Sequence, residues 1–566
     1  MLTLRTLTVL LVIGVLASAC ATRDPSTSPS TQSSPTAGVA RAKRVTLAVT
    51  GEPTGYVARM TPTQNSIPGA SVLEQLVNGA LAEEAPDHSL RPLLAEDVPS
   101  LQNGLWVLLP DGRMELTWKI RDGAQWQDGT PLTGDDLVFT AAVDQNKDIA
   151  ILRAAGYSWV QGVEAVDPHT IRVTWTQPYI GAERMFTQGF ATPLPRHLLE
   201  SAVANDPSHL LTHPYWVQDY VGAGPFIPRR WTPGEAIVLE ANSTYVLGRP
   251  KIDEIEMRFI SDLNALMANL IAGSIDINMG RGLTIEQAIE LQSRWPDGKM
   301  DLEQSSWINV MPQYLNPRPA IVADVNFRRA LLYGTDRQEL VDTLQGGLSS
   351  IADVYVGPQY REHAEVASSL IKYPYDPRRA AQLIESLGYR KGSDGTYRDA
   401  SGAPLAVELR SNGSAITEKT IVAVANLWSR LGVATDPEAV PQPQMVDREY
   451  VATFPGFRMT RQGNEPESVT RWHSRQTPLP ENRFVGPNYS RYNNAEWDAM
   501  IDRYAVTIPW DERMQLLRRI TQYMTDNAVI MGMFYDPNPT FLTKSLVNVT
   551  AGDGNVRDAH LWDLTH

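Results

Sequence analysis

Residues 127–139 read QDGTPLTGDDLVF, and the organisation of the chain is worked out from this stretch. Its second half, continued to Val143 (TGDDLVFTAAV), predicts a helix with Thr133 as N-cap, because a hydroxyl there accepts from a free N–H of the first turn. Asp135 and Asp136 fall in that first turn, where carboxylates suit the helix dipole. Adjacent helical residues point about 100° apart. The two aspartates therefore cap the helix and do not act as a catalytic pair.

Strand and helix signals alternate irregularly on both sides of this helix. Arg44–Thr50, Arg113–Ile120 and Thr170–Trp175 alternate as half-buried strands. Ser71–Leu81 has helical spacing with Ser71 at its N-cap position. Ala236–Glu240 and Ile255–Ile260 are strands flanking the turn-rich Asn242–Pro250, and Leu263–Ala272 is a helix ended by Gly273. Further helices are Asn326–Tyr333, Arg337–Leu344, Pro377–Leu387, Ala415–Leu431, Asn494–Ala505 and Asp511–Asp526, followed by the strand-like Val529–Tyr535. No fixed-period repeat is present. The pattern is a large mixed α/β (α+β) body with several lobes, and spacing alone does not say which lobe returns to which.

Cys20 is the only cysteine in 566 residues. It follows Arg5, a short apolar run and the small residues Ala17-Ser18-Ala19. That order describes a secretory signal over 1–19. A lone thiol just past the cut is the lipid-bearing residue of a bacterial lipoprotein; the alternative is an ordinary signal cut after Ala19 with an incidental cysteine. The apolar run is shorter than the roughly 20 residues a membrane-spanning helix needs. Residues 21–40 (ATRDPSTSPSTQSSPTAGVA) have almost nothing to bury, so residues 20–42 are expected to be a lipidated cysteine and a flexible tether. This places the body outside the cytoplasmic membrane, held together by its core without disulfides.

About 520 residues remain beyond the tether, too many for one core, so two or three lobes are expected. The net charge of −14 argues against a nucleic-acid partner. Fourteen Trp and twenty Tyr are enough to line a ligand site as well as a core. No G-x-S-x-G elbow, phosphate loop, complete G-x-G-x-x-G or H-E-x-x-H occurs. Gly222-Ala-Gly224 is followed by Pro225, which rules out a dinucleotide site. His209 and His213 are bracketed by Pro207 and Pro214 and lack a third ligand, so they read as a surface pair. Asp394-Gly395 reads as a hairpin turn. The sequence thus supplies no catalytic set, no metal site and no cofactor motif.

Phe454–Trp472 (FPGFRMTRQGNEPESVTRW) is the densest mixture of charge and aromatics, with Arg458, Arg461 and Arg471 among Phe457, Asn464 and Trp472. Its Gly and Pro residues predict a loop. Arginines among aromatics suit bidentate capture of a carboxylate. The other reading is a solvated loop with arginine stems over apolar surface.

Several segments, in order, resemble the family 5 extracellular solute-binding proteins of ABC importers, the peptide- and nickel-binding type. They are 127–139, Gly222–Phe226 with Trp231–Glu235 and Val238–Asn242, Ala268–Ile277, Val325–Arg337, Tyr375–Ile384 with Leu387–Tyr389, and Tyr489–Asn494. The resemblance spans roughly residues 45–550. It implies a two-lobed clamshell like that of periplasmic binding proteins, with an extra subdomain on lobe I. Lobe I would be 43–80 plus 205–305 plus 529–566, the subdomain 81–204, and lobe II 306–528. Crossings near Ser306–Met311 and Val529–Phe534 would form the hinge.

The implied function is a non-enzymatic, lipid-anchored, monomeric receptor outside the cytoplasmic membrane. It would capture a solute, a peptide before an anion, sugar or metal chelate, and deliver it to the permease's transmembrane subunits. Peptide-binding members carry a GW..DY loop in lobe II whose Asp pairs with the peptide's α-amino group. The matching Gly456–Arg461 has no Asp there, so either Glu465 takes over or the ligand is held differently, as an anion. The expected ligand residues are Tyr157, Trp159, Phe457, Arg458, Arg461, Asn464, Glu465 and Tyr535. A secreted hydrolase is the alternative of another class, and the missing nucleophile and metal sets weigh against it. A lipid-anchored scaffold without a ligand is the third reading.

Overall fold

Gln127 joins the stretch that opens the sequence reading to two distant segments. In the computed structural model its side-chain amide donates to the carbonyls of Val77, Gly224 and Phe226, and its carbonyl accepts from Gly222 N–H. A Cβ on Gly222 would lie 2.0 Å from the Val77 carbonyl oxygen, so only glycine lets these backbones meet. The helix after it, Gly134–Gln145, is capped at Thr133, whose N–H donates to Asp136 Oδ2 at 2.9 Å. The structure describes residues 42–60, 67–149, 155–188, 190–280, 282–368, 370–550 and 556–565. The expected signal, the lipidation site Cys20 and the tether up to residue 41 lie outside the described residues.

One ten-stranded sheet organises the body. Its order is Ala434–Glu438, Ala406–Arg410, Phe457–Gly463, Gly298–Pro312, Met531–Thr543, Ile277–Asn278, Arg44–Val49, Glu254–Phe259, Ala236–Ala241 and Phe226–Thr232. The two long strands in the middle belong to both halves. They pair antiparallel from Gly298↔Thr543 to Val310↔Met531. Toward one end Met531–Thr543 pairs with Ile277–Asn278, and toward the other Gly298–Pro312 pairs with Phe457–Gly463, beginning at Ser306↔Gly463.

The change of partner coincides with a bulge. Glu303 faces Asn538 and Ser306 faces Asp536, so Gln304 and Ser305 stand opposite Pro537 alone. Proline has no N–H for the ladder, and a two-against-one bulge bends the strand and re-aims a side chain. The second long strand, Met531–Thr543, runs well past the Val529–Tyr535 expected from sequence and carries Pro537 and Pro539 inside it.

The core divides in the same sense. Val45, Leu47, Ile237, Ile255 and Trp562 form one cluster, and Ile308, Phe327, Trp428, Phe457 and Met531 another. A four-stranded sheet, ordered Trp106–Leu108, Met114–Lys119, Thr170–Trp175 and Val160–Asp167, forms the subdomain around Trp118, Trp126 and Trp175. Its core is continuous with Trp307, Tyr355, Trp472 and Tyr504. Ile180 N–H donates to Ala505 carbonyl oxygen at 3.1 Å across that join.

Arginines hold the second long strand to the 325–337 segment. Arg328 donates to the Ala528 and Asn527 carbonyls, and Arg337 donates to Gly532 carbonyl oxygen and pairs with Asp353 at 2.9 Å. Two local expectations are corrected. Ser71 is not the N-cap of Ala70–Val77; Gly69 is, at φ 92°, where a Cβ would strike Val49. Residues Phe457–Gly463 are a strand and not a loop, because they pair along the whole length of Ser306–Pro312.

Candidate functional site

The bulge at Gln304–Ser305 opens onto a cavity of about 370 Å³. Glu84, His88, Tyr179, Arg184 and Phe190 line it from the subdomain, Glu303 and Ser305 from the long strand, and Tyr360, Glu465, Glu467, Ser468 and Arg471 from the other half of the body. A wider cleft of about 830 Å³ shares His88, Arg184, Tyr360 and Glu467 with it. The cleft adds Glu183, Glu362, Trp510 and Arg513, among others.

His88 stands at the centre of the polar wall. Its Nδ1 is 3.0 Å from Glu84 Oε2 and its Nε2 is 2.8 Å from Glu303 Oε1. Its ring stacks on Tyr360 with centroids 4.2 Å apart. Burial works against its charge, but the bonds to Glu303 and Glu84 outweigh burial and push His88 up to about 9. Burial would raise Glu84, yet His88 and then Arg184 hold it at about 2. Arg184 forms an ion pair with Glu84. Arg557 Nη2 reaches Glu303 at 3.6 Å.

The opposite wall is less satisfied. Glu465 Oε2 is 3.7 Å from Arg471 Nη2, beyond hydrogen-bond distance. Burial raises Glu465 and lowers Arg471. Burial likewise raises Glu183 and Glu362 in the outer cleft. Trp510 carries Arg361 at 4.0 Å and Arg513 at 5.4 Å from its ring centroid.

Of the residues expected from sequence, Glu465 lines the inner cavity and the others line neither space. Trp159 stands behind the wall, its ring 5.3 Å from Tyr179, and Tyr157 packs against Trp175 in the subdomain core. Phe457 is fully buried between Trp428 and Phe327. Arg458 is buried with its guanidinium 4.5 Å over Tyr489. Arg461 Nε donates to Asp536 Oδ2 at 2.5 Å. Asn464 is spent on Gln304 carbonyl oxygen and Gln359. Tyr535 donates to the Val354 and Val356 carbonyls.

The segment singled out by its arginines therefore reaches the cavity at its far end, through Glu465, Glu467, Ser468 and Arg471. Among the described residues no group of three or more His, Cys, Asp or Glu could hold a metal ion. No described helix is long and apolar enough to cross a membrane.

The sequence and fold have relatives. The oligopeptide-binding protein AppA of Bacillus subtilis is 24% identical over 509 residues, 88% of this chain and 86% of its own. The structure of that protein with a nonapeptide superposes with TM-score 0.69 at 21% identity, covering 93% of this chain and all of AppA. NikZ from Campylobacter jejuni, in complex with Ni(L-His), gives TM-score 0.70 at 20% identity, covering 92% of this chain and 99% of its own. The periplasmic EDTA-binding protein EppA gives 0.74 at 18% identity, over 93% and 97%. Curated relatives from Deinococcus radiodurans and Brucella ovis are matched over 54% and 59% of their lengths. The family model for bacterial extracellular solute-binding proteins, family 5 Middle, matches residues 89–491. With that match and this two-lobed α/β fold, the chain belongs to the family 5 extracellular solute-binding proteins and is a substrate-binding protein of ABC transporters.

Proposed function

We propose that the protein is the receptor of an ABC importer, enclosing a solute between its lobes and handing it to the permease. The observation that carries this reading is the cavity at the bulge, whose wall is assembled from the subdomain, the long strand and the other half of the body. A ligand touching all three favours the closed arrangement by its differential affinity. Lobe I would comprise 43–80, 205–305 and 529–566, with 81–204 as its subdomain, and lobe II would be 306–528. The proposed solute is a peptide, lying through both connected spaces. A compact solute would use the inner cavity alone, whose 370 Å³ is at the small end of ligand pockets. The protein would act as a monomer and catalyse nothing.

Closure is checked by small-angle scattering. Adding saturating solute should reduce the radius of gyration; an unchanged radius at saturation would count against a clamshell. Anchoring is a separate part of the proposal and rests on Cys20, the only thiol in the chain. Cys20→Ser should move the protein from the membrane fraction to the soluble fraction of its native host. Complete retention in membranes would remove the lipid anchor from the account.

A further inference from the structure

Several polar atoms of the inner cavity are buried without a hydrogen-bond partner. Ser305 Oγ, Ser468 Oγ and Glu303 Oε2 make no hydrogen bond, and all three residues are 8% exposed. All three line the inner cavity. A buried polar atom left unpaired is costly, and in a cavity this size the unmet partner is a bound molecule or water.

The charges around these atoms are unequal as well. Glu84 is fully engaged by His88 and Arg184. Glu465 has only a distant arginine, and Glu467 has no ion pair among the described residues. Outward, Glu183 lines the continuation of the same space, also without an ion pair among the described residues. Counted over both spaces, Glu84, Glu183, Glu303, Glu362, Glu465, Glu467, Asp511 and Glu512 face His88, Arg184, Arg361, Arg471 and Arg513. The excess among the lining residues is acidic, with Arg557 3.6 Å from Glu303 as a further basic neighbour. Arg184 is held more firmly protonated than an ordinary arginine, because Glu467, Glu84 and Glu183 together outweigh its burial. Arg458 and Arg461 line neither space: Arg458 lies over Tyr489 with its Nη1 buried and unpaired, and Arg461 Nε donates to Asp536.

We propose that the inner cavity is a cation subsite, taking the ammonium or guanidinium group of a basic side chain against Glu303, Glu465, Glu467, Ser305 and Ser468. Such a group brings several N–H donors and no acceptor, which suits the Glu303 carboxylate, and the Ser305 and Ser468 hydroxyls can turn to accept from it. Tyr179, Phe190 and Tyr360 supply aromatic faces for the cation and its alkyl stem. The inference rests on the receptor reading above and specifies its solute as net positive.

The test is calorimetric titration of the full chain with tripeptides of one length that differ at the central residue: Lys, Gln or Glu, each with a free or acetylated N-terminus. The Lys peptides should bind at least about tenfold tighter than the Gln peptides, with Glu weakest, and acetylation should leave that order intact. Glu467→Gln combined with Ser468→Ala should erase the Lys preference while leaving residual binding. Equal or tighter binding of the Gln or Glu peptides would overturn the cation subsite and leave the receptor standing. Loss of all binding on acetylation would assign the cavity to an α-ammonium group and likewise overturn the proposal. If none of the six peptides binds while a small molecule of neutral or negative charge is released from the native protein, the cation proposal falls alone. If none binds and nothing is released, the receptor reading falls with it.

Discussion

His88→Ala is expected to destabilise the protein by about 3–5 kcal/mol, the cost of removing one partner from a buried charged pair. His88 is 8% exposed and bridges Glu84 to Glu303, so its loss leaves two carboxylates facing each other across a hole. The effect depends on pH with a definite sign. The folded value lies near 9, above the ordinary 6.5, so the proton stabilises the folded state fully below about 6.5. That contribution disappears as the pH rises through 9. Chemical unfolding at about pH 6 and about pH 10 should show the wild type losing stability that the variant never had, narrowing the gap between them. A gap of equal size at both pH values would mean that His88 is neutral in the fold and acts by packing alone.

Tyr360→Ala is expected to weaken solute binding by about 2 kcal/mol or more, about thirtyfold, as buried aromatic anchors do when truncated. The ring belongs to the wall of both spaces and is 7% exposed. Phe457→Ala is the matched control. That ring is fully buried and outside both spaces, so its truncation should cost about 3–5 kcal/mol of stability and leave the affinity of the folded protein unchanged. Isothermal titration beside denaturant unfolding separates the two effects. A selective affinity loss in Phe457→Ala, with Tyr360→Ala unaffected, would return the site to the strand that sequence reading favoured.

The contrast between these two residues shows what could be read from the sequence. The helix in the opening stretch was legible because its capping is local: Thr133 caps its own helix and Asp136 answers it three residues on, whereas the long-range bonds of Gln127 leave no such mark. The second long strand extends beyond the expected Val529–Tyr535 through Pro537 and Pro539, residues that ordinarily interrupt a strand. The bulge faces Pro537, while Pro539 stays in register opposite Leu302. The Phe457–Gly463 strand was hidden because it is flanked on both edges, and its apolar and charged residues are both buried, so no alternation marks it. The cavity itself was the least legible part. Glu84, His88, Arg184, Glu303, Tyr360 and Glu465 come from segments far apart in the chain, and a single histidine carries no spacing signal. The dense charge of residues 454–472 was the one usable sign, and its far end, from Glu465 to Arg471, is the part that lines the cavity.

The central claim is that a solute occupies the cavity at the bulge. It is tested most directly by mass spectrometry of small molecules released on denaturing the protein purified from its native host. Wild type should yield one molecule per chain, and Ser468→Phe, which places a ring inside the cavity of about 370 Å³, should yield none while remaining folded. Release of the same molecule in the same amount from the filled variant would contradict the account.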